Sequence, residues 1–110
     1  AYYQGLRDLY TEKREYFLSG LDAIGLPHNM PQGSYFVLVD VGRFLDLPRF
    51  AGYDGLAFCE FMAEHIGVAA VPGSSFFPDS AGDRLVRLHF ARGRDSLEEA
   101  LKRLGRLNDL

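Results

Sequence analysis

Residues 34–41 form the segment that most restricts how this chain can fold. The segment is rich in β-branched and aromatic side chains and contains neither Gly nor Pro, which is typical of a β-strand. Both of its faces are apolar: one carries Tyr35, Val37, Val39 and Val41, and the other carries Phe36 and Leu38. The helices of a small domain can cover one face of such a strand, so we expect the other face to need a further layer or another domain.

The sequence before this strand and the sequence after it both show the apolar periodicity of a helix. Residues 3–24 carry apolar side chains at steps of three, four and seven, the spacing of one helix face, and Gly25 is a typical helix stop. Asp54 is suited to be the N-cap of a second helix, which would end near Ile66 before Gly67. We therefore predict two helices that flank the strand in sequence and present apolar stripes to a core.

The C-terminal part of the chain predicts a second long strand and a last helix. In residues 84–91 every second side chain from Val86 to Phe90 is apolar, which indicates a half-buried strand. Asp95 and Glu98 form a capping-box pattern, which predicts the start of an amphipathic helix that ends the chain.

The connections complete the order of elements. We predict an irregular connection over residues 42–54, a short strand over residues 68–71 and a loop over residues 74–82. The order is then helix, strand, helix, short strand, strand, helix. The simplest architecture for it is an α+β fold of two layers, with helices packed on one face of a small, mainly antiparallel sheet.

Length and charge exclude several classes of protein. A chain of 110 residues suits one domain, so we predict that residues 1–110 form a single one. A net charge of −3 does not indicate the excess of basic side chains that binds nucleic acid or an anionic membrane surface. No run approaches the roughly 20 apolar residues that span a bilayer. We therefore expect neither a nucleic-acid partner nor a membrane.

The cysteine and histidine content argues against a metal site. Cys59 is the one cysteine, which excludes an internal disulfide and a multi-cysteine zinc site. His28, His65 and His89 share no metal-ligand spacing. We predict no metal and expect an intracellular, reducing compartment.

Arg87 is the first candidate for a binding residue. It lies in the middle of a predicted strand between Val86 and Leu88, and its planar fork matches a carboxylate through two parallel hydrogen bonds. The alternative is a solvent-facing strand position, where arginine is common. On the pattern alone the solvent-facing interpretation is favoured.

The other candidates have structural interpretations that the sequence favours. His89 shares the face of Arg87 and can carry a proton, but pairing with a carboxylate or a carbonyl is the commoner role. Residues 72–75 can offer backbone N–H groups to an anion, but they lack the lysine of a phosphate loop. No lysine or obvious protonated histidine is adjacent to Cys59, which favours a packed thiol. A hydrolase triad built on Ser74 and His89 lacks its strand–turn–helix frame.

Three stretches resemble one protein family in their order and intervals. They are residues 31–36 (PQGSYF), residues 67–76 (GVAAVPGSSF), and residues 86–91 (VRLHFA) followed by the helix of residues 96–101 (SLEEAL). They resemble the C-terminal small domain of the class I/II aminotransferases, fold-type-I enzymes that depend on pyridoxal phosphate. Residues 57–59 are most similar to the branch with kynurenine–oxoglutarate and methionine aminotransferases.

The resemblance implies roles for three residues. Arg87 matches the family arginine that binds the α-carboxylate of the substrate, which now favours a binding role over the solvent-facing one. Tyr35 matches an aromatic position that can line the side-chain pocket, with Gly33 beside it. The implied reaction transfers an amino group between an L-amino acid and a 2-oxo acid, with pyridoxal phosphate as the electron sink.

The same resemblance implies that part of the machinery lies outside this chain. The family requires a lysine that forms a Schiff base with the cofactor, and that lysine belongs to the large domain. Lys13 and Lys102 lie on charged helix faces in the wrong sequence contexts, so neither matches it. We therefore assign no catalytic or cofactor-binding residue here and expect the isolated chain to be inactive.

A division of the chain and a set of partners follow from the resemblance. Residues 1–25 are expected to be an interdomain helix and residues 26–110 the α/β body of a small domain. A helical pattern from the first residues and the missing initiator Met favour a piece of a longer protein. The expected partners are a large domain of the same polypeptide, which would bind pyridoxal 5′-phosphate, the amino acid and 2-oxo acid substrates, and a second subunit of a cytoplasmic homodimer. We expect the Tyr35 face or the opening helix to expose surface that these partners would cover.

Two alternative functions stay open at this point. A C–S β-lyase would share the fold and the cofactor and would use Arg87 in the same way. A non-catalytic module that binds amino acids or another protein would keep the arginine without the chemistry. Release of ammonia and pyruvate from a cysteine conjugate would identify the first, and cooperative melting with ligand binding by the chain alone would support the second.

Overall fold

The computed structural model describes residues 2–31, 34–73 and 82–110. Its strands are β1 (Phe36–Asp40), β2 (Val71–Pro72) and β3 (Leu85–His89). Its helices are α1 (Tyr2–Ile24), α2 (Gly42–Leu45), α3 (Gly55–Phe61) and α4 (Arg94–Leu104), with 3₁₀ turns at Pro48–Phe50 and Gly105–Asp109. This order confirms the predicted α+β class, with helices packed on a small antiparallel sheet.

The described strands form one sheet with the order β1-β3-β2, so β3 is the central strand. β1 and β3 pair antiparallel along their length, from Phe36 opposite His89 to Asp40 opposite Leu85. β2 adds a short antiparallel pairing that places Val71 opposite Arg87. A residue in the middle of β3 therefore has a strand on each side.

One face of the sheet forms the core. The three longer helices contribute Phe17, Phe58 and Leu97 to the same buried cluster. The sheet and the residue that follows it contribute side chains that are at most 2% exposed, namely Val37, Val39, Val86, Leu88 and Phe90. Burial of this face within the chain accounts for the alternation of apolar and polar side chains from Val86 to Phe90.

The predicted exposure of the Tyr35 face of β1 is wrong, and the predicted exposure of apolar surface on the opening helix is confirmed. The Tyr35 face of β1 is the covered face, because the helices of the same chain pack on it. The open face is the opposite one, where Phe36 remains 38% exposed and Leu38 is half-buried. The opening helix does expose apolar surface, since Leu9 is 45% exposed.

Helix α1 joins the core through its C-terminal half. It has 23 residues and is therefore about 35 Å long at 1.5 Å per residue. Phe17 and Leu21 are buried, and the Phe17 ring stacks on Phe90 with 6.1 Å between ring centres. The helix ends at the predicted stop, where Gly25 has φ of +85°.

Tertiary hydrogen bonds close the end of α1. Carbonyl groups in the last turn of a helix have no partner within the helix. Nη1 of Arg43, on α2, donates to the Gly25 carbonyl at 2.7 Å, and Nδ2 of Asn108 donates to the Ile24 carbonyl at 2.9 Å. Nη2 of Arg43 also donates to Oδ1 of Asn108 at 2.7 Å. The C-terminal 3₁₀ turn and α2 therefore both bind the end of α1, and they also contact each other there.

Helix α3 begins and ends where the sequence predicts. Oδ1 of Asp54 accepts a hydrogen bond from the Ala57 N–H at 2.8 Å, which confirms the N-cap. The helix continues into a π-helical turn, Met62–Ile66, and stops at Gly67, whose φ is +84°. The apolar spacing did not indicate the π-helical turn.

Other boundaries differ from the prediction. β2 pairs only at Val71–Pro72, so the short strand predicted over residues 68–71 is displaced toward the C-terminus. The connection predicted to be irregular, residues 42–54, contains α2 and a 3₁₀ turn. The loop predicted over residues 74–82 lies outside the described residues except for Gly82.

The predicted capping box of α4 is wrong. Gly93 is the N-cap residue, and no side chain caps this end of the helix. Asp95 lies within the first turn instead. An acidic side chain there is still favourable, because it faces the positive end of the helix dipole.

Candidate functional site

Arg87 lies on the open face of the sheet, in the middle of β3. Leu38 of β1 pairs with it on one side and Val71 of β2 on the other. The side chain is half-buried, and its guanidinium carbon lies 3.9 Å from the centre of the Phe36 ring. Stacking on an aromatic face restricts a guanidinium while its N–H groups, which lie in the guanidinium plane, stay able to donate hydrogen bonds.

Phe36 contacts a second polar residue of this face. Its ring centre lies 5.0 Å from that of His89, its partner across the strands. Phe36 therefore packs against Arg87 and His89, the two polar side chains of β3 on the open face. Sequence reasoning did not select Phe36, although alternation along β1 already placed it opposite Tyr35.

A surface cavity of about 170 Å³ opens beside Arg87. Residues 69–71 and Phe36 form its apolar walls, and Arg87, His89 and Arg92 supply its polar groups. No aspartate or glutamate among the described residues lines it. Two guanidinium groups without a carboxylate make the cavity suited to an anion, in a chain whose net charge is −3.

Tyr35 lies away from this cavity. Its ring centre is 5.0 Å from that of Tyr10 on α1 and 5.4 Å from that of Phe90. The structure therefore does not bring Tyr35 and Arg87 together around the cavity, and the pocket role of Tyr35 stays a prediction. Gly33 lies outside the described residues.

Helix α1 holds the segment that leads to Tyr35. The Tyr10 hydroxyl donates to the Pro31 carbonyl at 3.4 Å, and Nη1 of Arg14 donates to the same oxygen at 3.3 Å. Tyr10 also packs edge-to-face on Tyr35. The position of the chain entering β1 is therefore coupled to the position of α1.

Arg84, just before β3, forms an ion pair with a carboxylate of the same chain. Arg84 donates two hydrogen bonds to the carboxylate of Asp46, at 3.1 Å and 2.8 Å. These hydrogen bonds hold the pKa of Asp46 below its usual value of 3.8. Both side chains are more than half exposed, so the pair contributes little to the free energy of unfolding.

Cys59 is not a nucleophile in this fold. Its side chain is buried in the core, and burial raises the pKa of the thiol to about 11. The thiol is therefore protonated near neutral pH, which confirms the packed role. The proposed triad serine, Ser74, lies outside the described residues.

In the described part of the chain, no three His, Cys, Asp or Glu side chains are placed to hold a metal ion together. None of the helices in these ranges combines the length and the apolar composition that crossing a bilayer requires.

The two lysines lie elsewhere than the Arg87 cavity. Lys13, on α1, lines a groove between α1 and α4 with Glu12 and Arg94, and Lys102 is exposed on α4. Neither lines the cavity beside Arg87. The described residues around this cavity therefore do not fit the Schiff-base site of pyridoxal phosphate.

The sequence profile of one family, described as aminotransferase class I and II, matches residues 1–104. The chain belongs to this aminotransferase family. The match runs from α1 to the end of α4, so it includes both Arg87 and Phe36.

Individual aminotransferases are similar over nearly the whole chain. The methionine aminotransferase of Escherichia coli strain K12 is 34% identical over 106 residues, which are 96% of this chain and 26% of the relative. A probable kynurenine–oxoglutarate transaminase of Saccharomyces cerevisiae is 29% identical over 120 residues, which are 99% of this chain and 27% of the relative. These names confirm the resemblance drawn from the sequence.

A solved aminotransferase has the same fold in this region. The N-succinyldiaminopimelate aminotransferase of Mycobacterium tuberculosis superposes with a TM-score of 0.75 at 35% identity, over 94% of this chain and 26% of that one. The chain thus spans about a quarter of the length of the aminotransferases it matches.

Proposed function

We propose that this chain binds the α-carboxylate of the substrates of a pyridoxal-phosphate-dependent aminotransferase through Arg87. The observation that carries the proposal is the position of the guanidinium. It is held in the middle of the central strand, stacked on Phe36, beside a cavity without described acidic residues. Membership of the aminotransferase family supports a carboxylate as its ligand, because amino acids and 2-oxo acids both carry one.

The geometry suits a positioning role. A guanidinium binds a carboxylate through two parallel hydrogen bonds, which fixes the direction of the bound acid as well as its location. Pairing with β1 and β2 and stacking on Phe36 reduce the side-chain freedom that binding would otherwise have to remove. A carboxylate held in this way orients the bonds at the α-carbon of the substrate for reaction.

The rest of the machinery is proposed to come from outside this chain. Pyridoxal phosphate would supply the electron sink for the reaction, bound with its lysine by a large domain of the same polypeptide. Residues 1–25 would connect that domain to the small-domain body of residues 26–110. The chain alone would then be inactive, and the intact enzyme would act as a homodimer on amino acids and 2-oxo acids.

The test is Arg87→Gln in the polypeptide that carries this chain. Removing one partner of a hydrogen-bonded charge pair costs about 2–3 kcal/mol, which is roughly a 30- to 150-fold rise in KM. We expect this rise for the amino acid and for the 2-oxo acid alike, with the absorbance of bound pyridoxal phosphate unchanged. Lys102→Gln, which removes the same charge from the exposed face of α4, is the matched control. Unchanged KM values for both substrates in Arg87→Gln would remove Arg87 from the site.

A further inference from the structure

We infer that Tyr10, on helix α1, is a positioning residue for Arg87, although the two side chains lie on different sides of the sheet. Tyr10 packs against the core side, and Arg87 lies on the open face. The connection between them is the chain that enters β1. This inference rests on the proposed function, because its effect is measured on the carboxylate that Arg87 would bind.

The first link is the contact of Tyr10 with the core side of the sheet. Its ring lies edge-to-face against Tyr35 with 5.0 Å between ring centres, and its ring centre is 6.0 Å from that of Phe90. The Tyr35 and Phe90 rings are themselves 5.4 Å apart. The backbone joins the same pair, since the Phe90 N–H donates to the Tyr35 carbonyl at 2.8 Å. Tyr10 therefore restricts Tyr35, the residue directly before β1.

The second link is the step from Tyr35 to Phe36. Tyr35 packs on the core side, and Phe36, the next residue, packs on the open face. The Phe36 ring centre lies 3.9 Å from the guanidinium carbon of Arg87. A displacement of Tyr35 would therefore move the aromatic surface on which the Arg87 guanidinium rests.

Arg14 holds the same segment from the next turn of α1. Its Nη1 and the Tyr10 hydroxyl both donate to the Pro31 carbonyl, at 3.3 Å and 3.4 Å. Its guanidinium carbon lies 5.5 Å from the centre of the Tyr10 ring, while its Nε is buried without an acceptor among the described residues. A buried donor without an acceptor lowers the free energy of unfolding. Stability alone therefore does not account for Arg14, and its contacts support a role in holding Tyr10 and Pro31.

The experiment is a double-mutant cycle with Arg87→Gln in the polypeptide that carries this chain. Tyr10→Leu removes the aromatic contact with Tyr35. We expect KM for the amino acid and for the 2-oxo acid to rise about two- to ten-fold, the factor that the loss of one aromatic pair corresponds to, with kcat nearly unchanged. Tyr10→Phe keeps the ring and should restore the parent KM. In the Arg87→Gln background, Tyr10→Leu should leave KM nearly unchanged, because the residue through which it acts is gone.

Tyr16→Leu is the matched control. It makes the same substitution on α1, at a ring that lies 4.2 Å from the guanidinium carbon of Arg94. Its KM values should equal those of the parent. If Tyr10→Leu does not fold, Arg14→Gln tests the same segment and should raise KM about two-fold, the low end of what one hydrogen bond corresponds to. Lys13→Gln, which removes the neighbouring charge on α1, is then the control.

The inference is overturned if Tyr10→Leu leaves both KM values unchanged, if Tyr16→Leu raises them as much, or if the rise is equally large in the Arg87→Gln background. The proposed function then stands as long as Arg87→Gln alone raises both KM values. If Arg87→Gln alone leaves them unchanged, the proposed function and this inference fail together.

Discussion

The two faces of this sheet are built from the same strands but are used in different ways. The inner face contributes Val37, Val86 and Leu88 to the core, each at most 2% exposed. The outer face carries Arg87 and Phe36, which stack on one another at the surface. Because neighbouring residues of a strand point to opposite faces, each strand contributes to the core and to the site at once.

This difference separates stability from binding. A change on the inner face removes contacts that the helices α1, α3 and α4 make with the sheet. A change on the outer face leaves the core intact and, under the proposed function, removes a contact to the substrate. Substitutions of the same chemical kind on the two faces should therefore have effects of very different size on the free energy of unfolding.

The largest effect is expected for paired phenylalanine substitutions. Phe90→Ala should lower the free energy of unfolding by about 3–5 kcal/mol, because the side chain is fully buried against Phe17 and Tyr35. Phe36→Ala should lower it by about 1 kcal/mol or less, since that ring is 38% exposed. Urea unfolding followed by circular dichroism measures both.

Equal losses in the two variants would contradict the division between the faces. If Phe90→Ala does not fold, Phe90→Leu and Phe36→Leu give a less destabilising pair, because leucine removes less of the buried side chain and leaves a smaller cavity than alanine does.

A second prediction concerns the thiol on the inner side of the fold. Burial raises the pKa of Cys59 from the usual 9.0 to about 11, so roughly 100-fold less thiolate is present near neutral pH than for an exposed cysteine. We expect Ellman's reagent to label the folded chain at least 100-fold more slowly than the chain in concentrated urea. Labelling at the same rate in both states would mean that the core around α3 opens readily.

The smallest effect is expected at the rim of the sheet. Asp46→Asn removes the ion pair with Arg84, whose hydrogen bonds hold the pKa of Asp46 below 3.8 in the folded chain. Such a carboxylate stabilises the fold above its unfolded pKa, and the contribution is lost as the pH falls through the lower, folded pKa. The parent chain should therefore be slightly more stable than the variant at about pH 7, and the difference should decrease as the pH falls below 3.8, the usual pKa of the carboxyl, toward its lower folded pKa.

Asp109→Asn is the control for that comparison, because it removes the same charge from an exposed position that makes no ion pair with a described residue. Urea unfolding at several pH values gives the free energies. A difference between Asp46→Asn and the parent chain that is the same at every pH would show that the ion pair is not its cause.

The sequence predicted the elements that local chemistry determines. The helix stops at Gly25 and Gly67 are found with positive φ, and the carboxylate of Asp54 caps α3. Each depends on a few neighbouring residues. The position of β2 was not predictable in this way, because the pairing of Val71 with Arg87 joins residues far apart in the chain.

Only part of the candidate site could be predicted, because some of its contacts also join residues that are far apart in the chain. Arg87 was recognisable from its place in an alternating strand and from the family resemblance. Phe36 and Arg92 join Arg87 only through the packing of β1 on β3 and the path of the chain after the strand. The expectation that the Tyr35 face is exposed was wrong because both faces of β1 are apolar, and alternation alone does not say which face the helices cover.

The closure of α1 by Asn108 also bears on how the chain folds during synthesis. The amide of Asn108 reaches the Ile24 carbonyl across 84 positions of sequence. A ribosome adds about 5–20 residues per second, so α1 would emerge several seconds before the residue that completes its C-terminal cap. Helix α1 is thus synthesised before the residue that completes its cap, and a nascent chain that stalls before residue 108 would lack the Asn108 hydrogen bond to the Ile24 carbonyl.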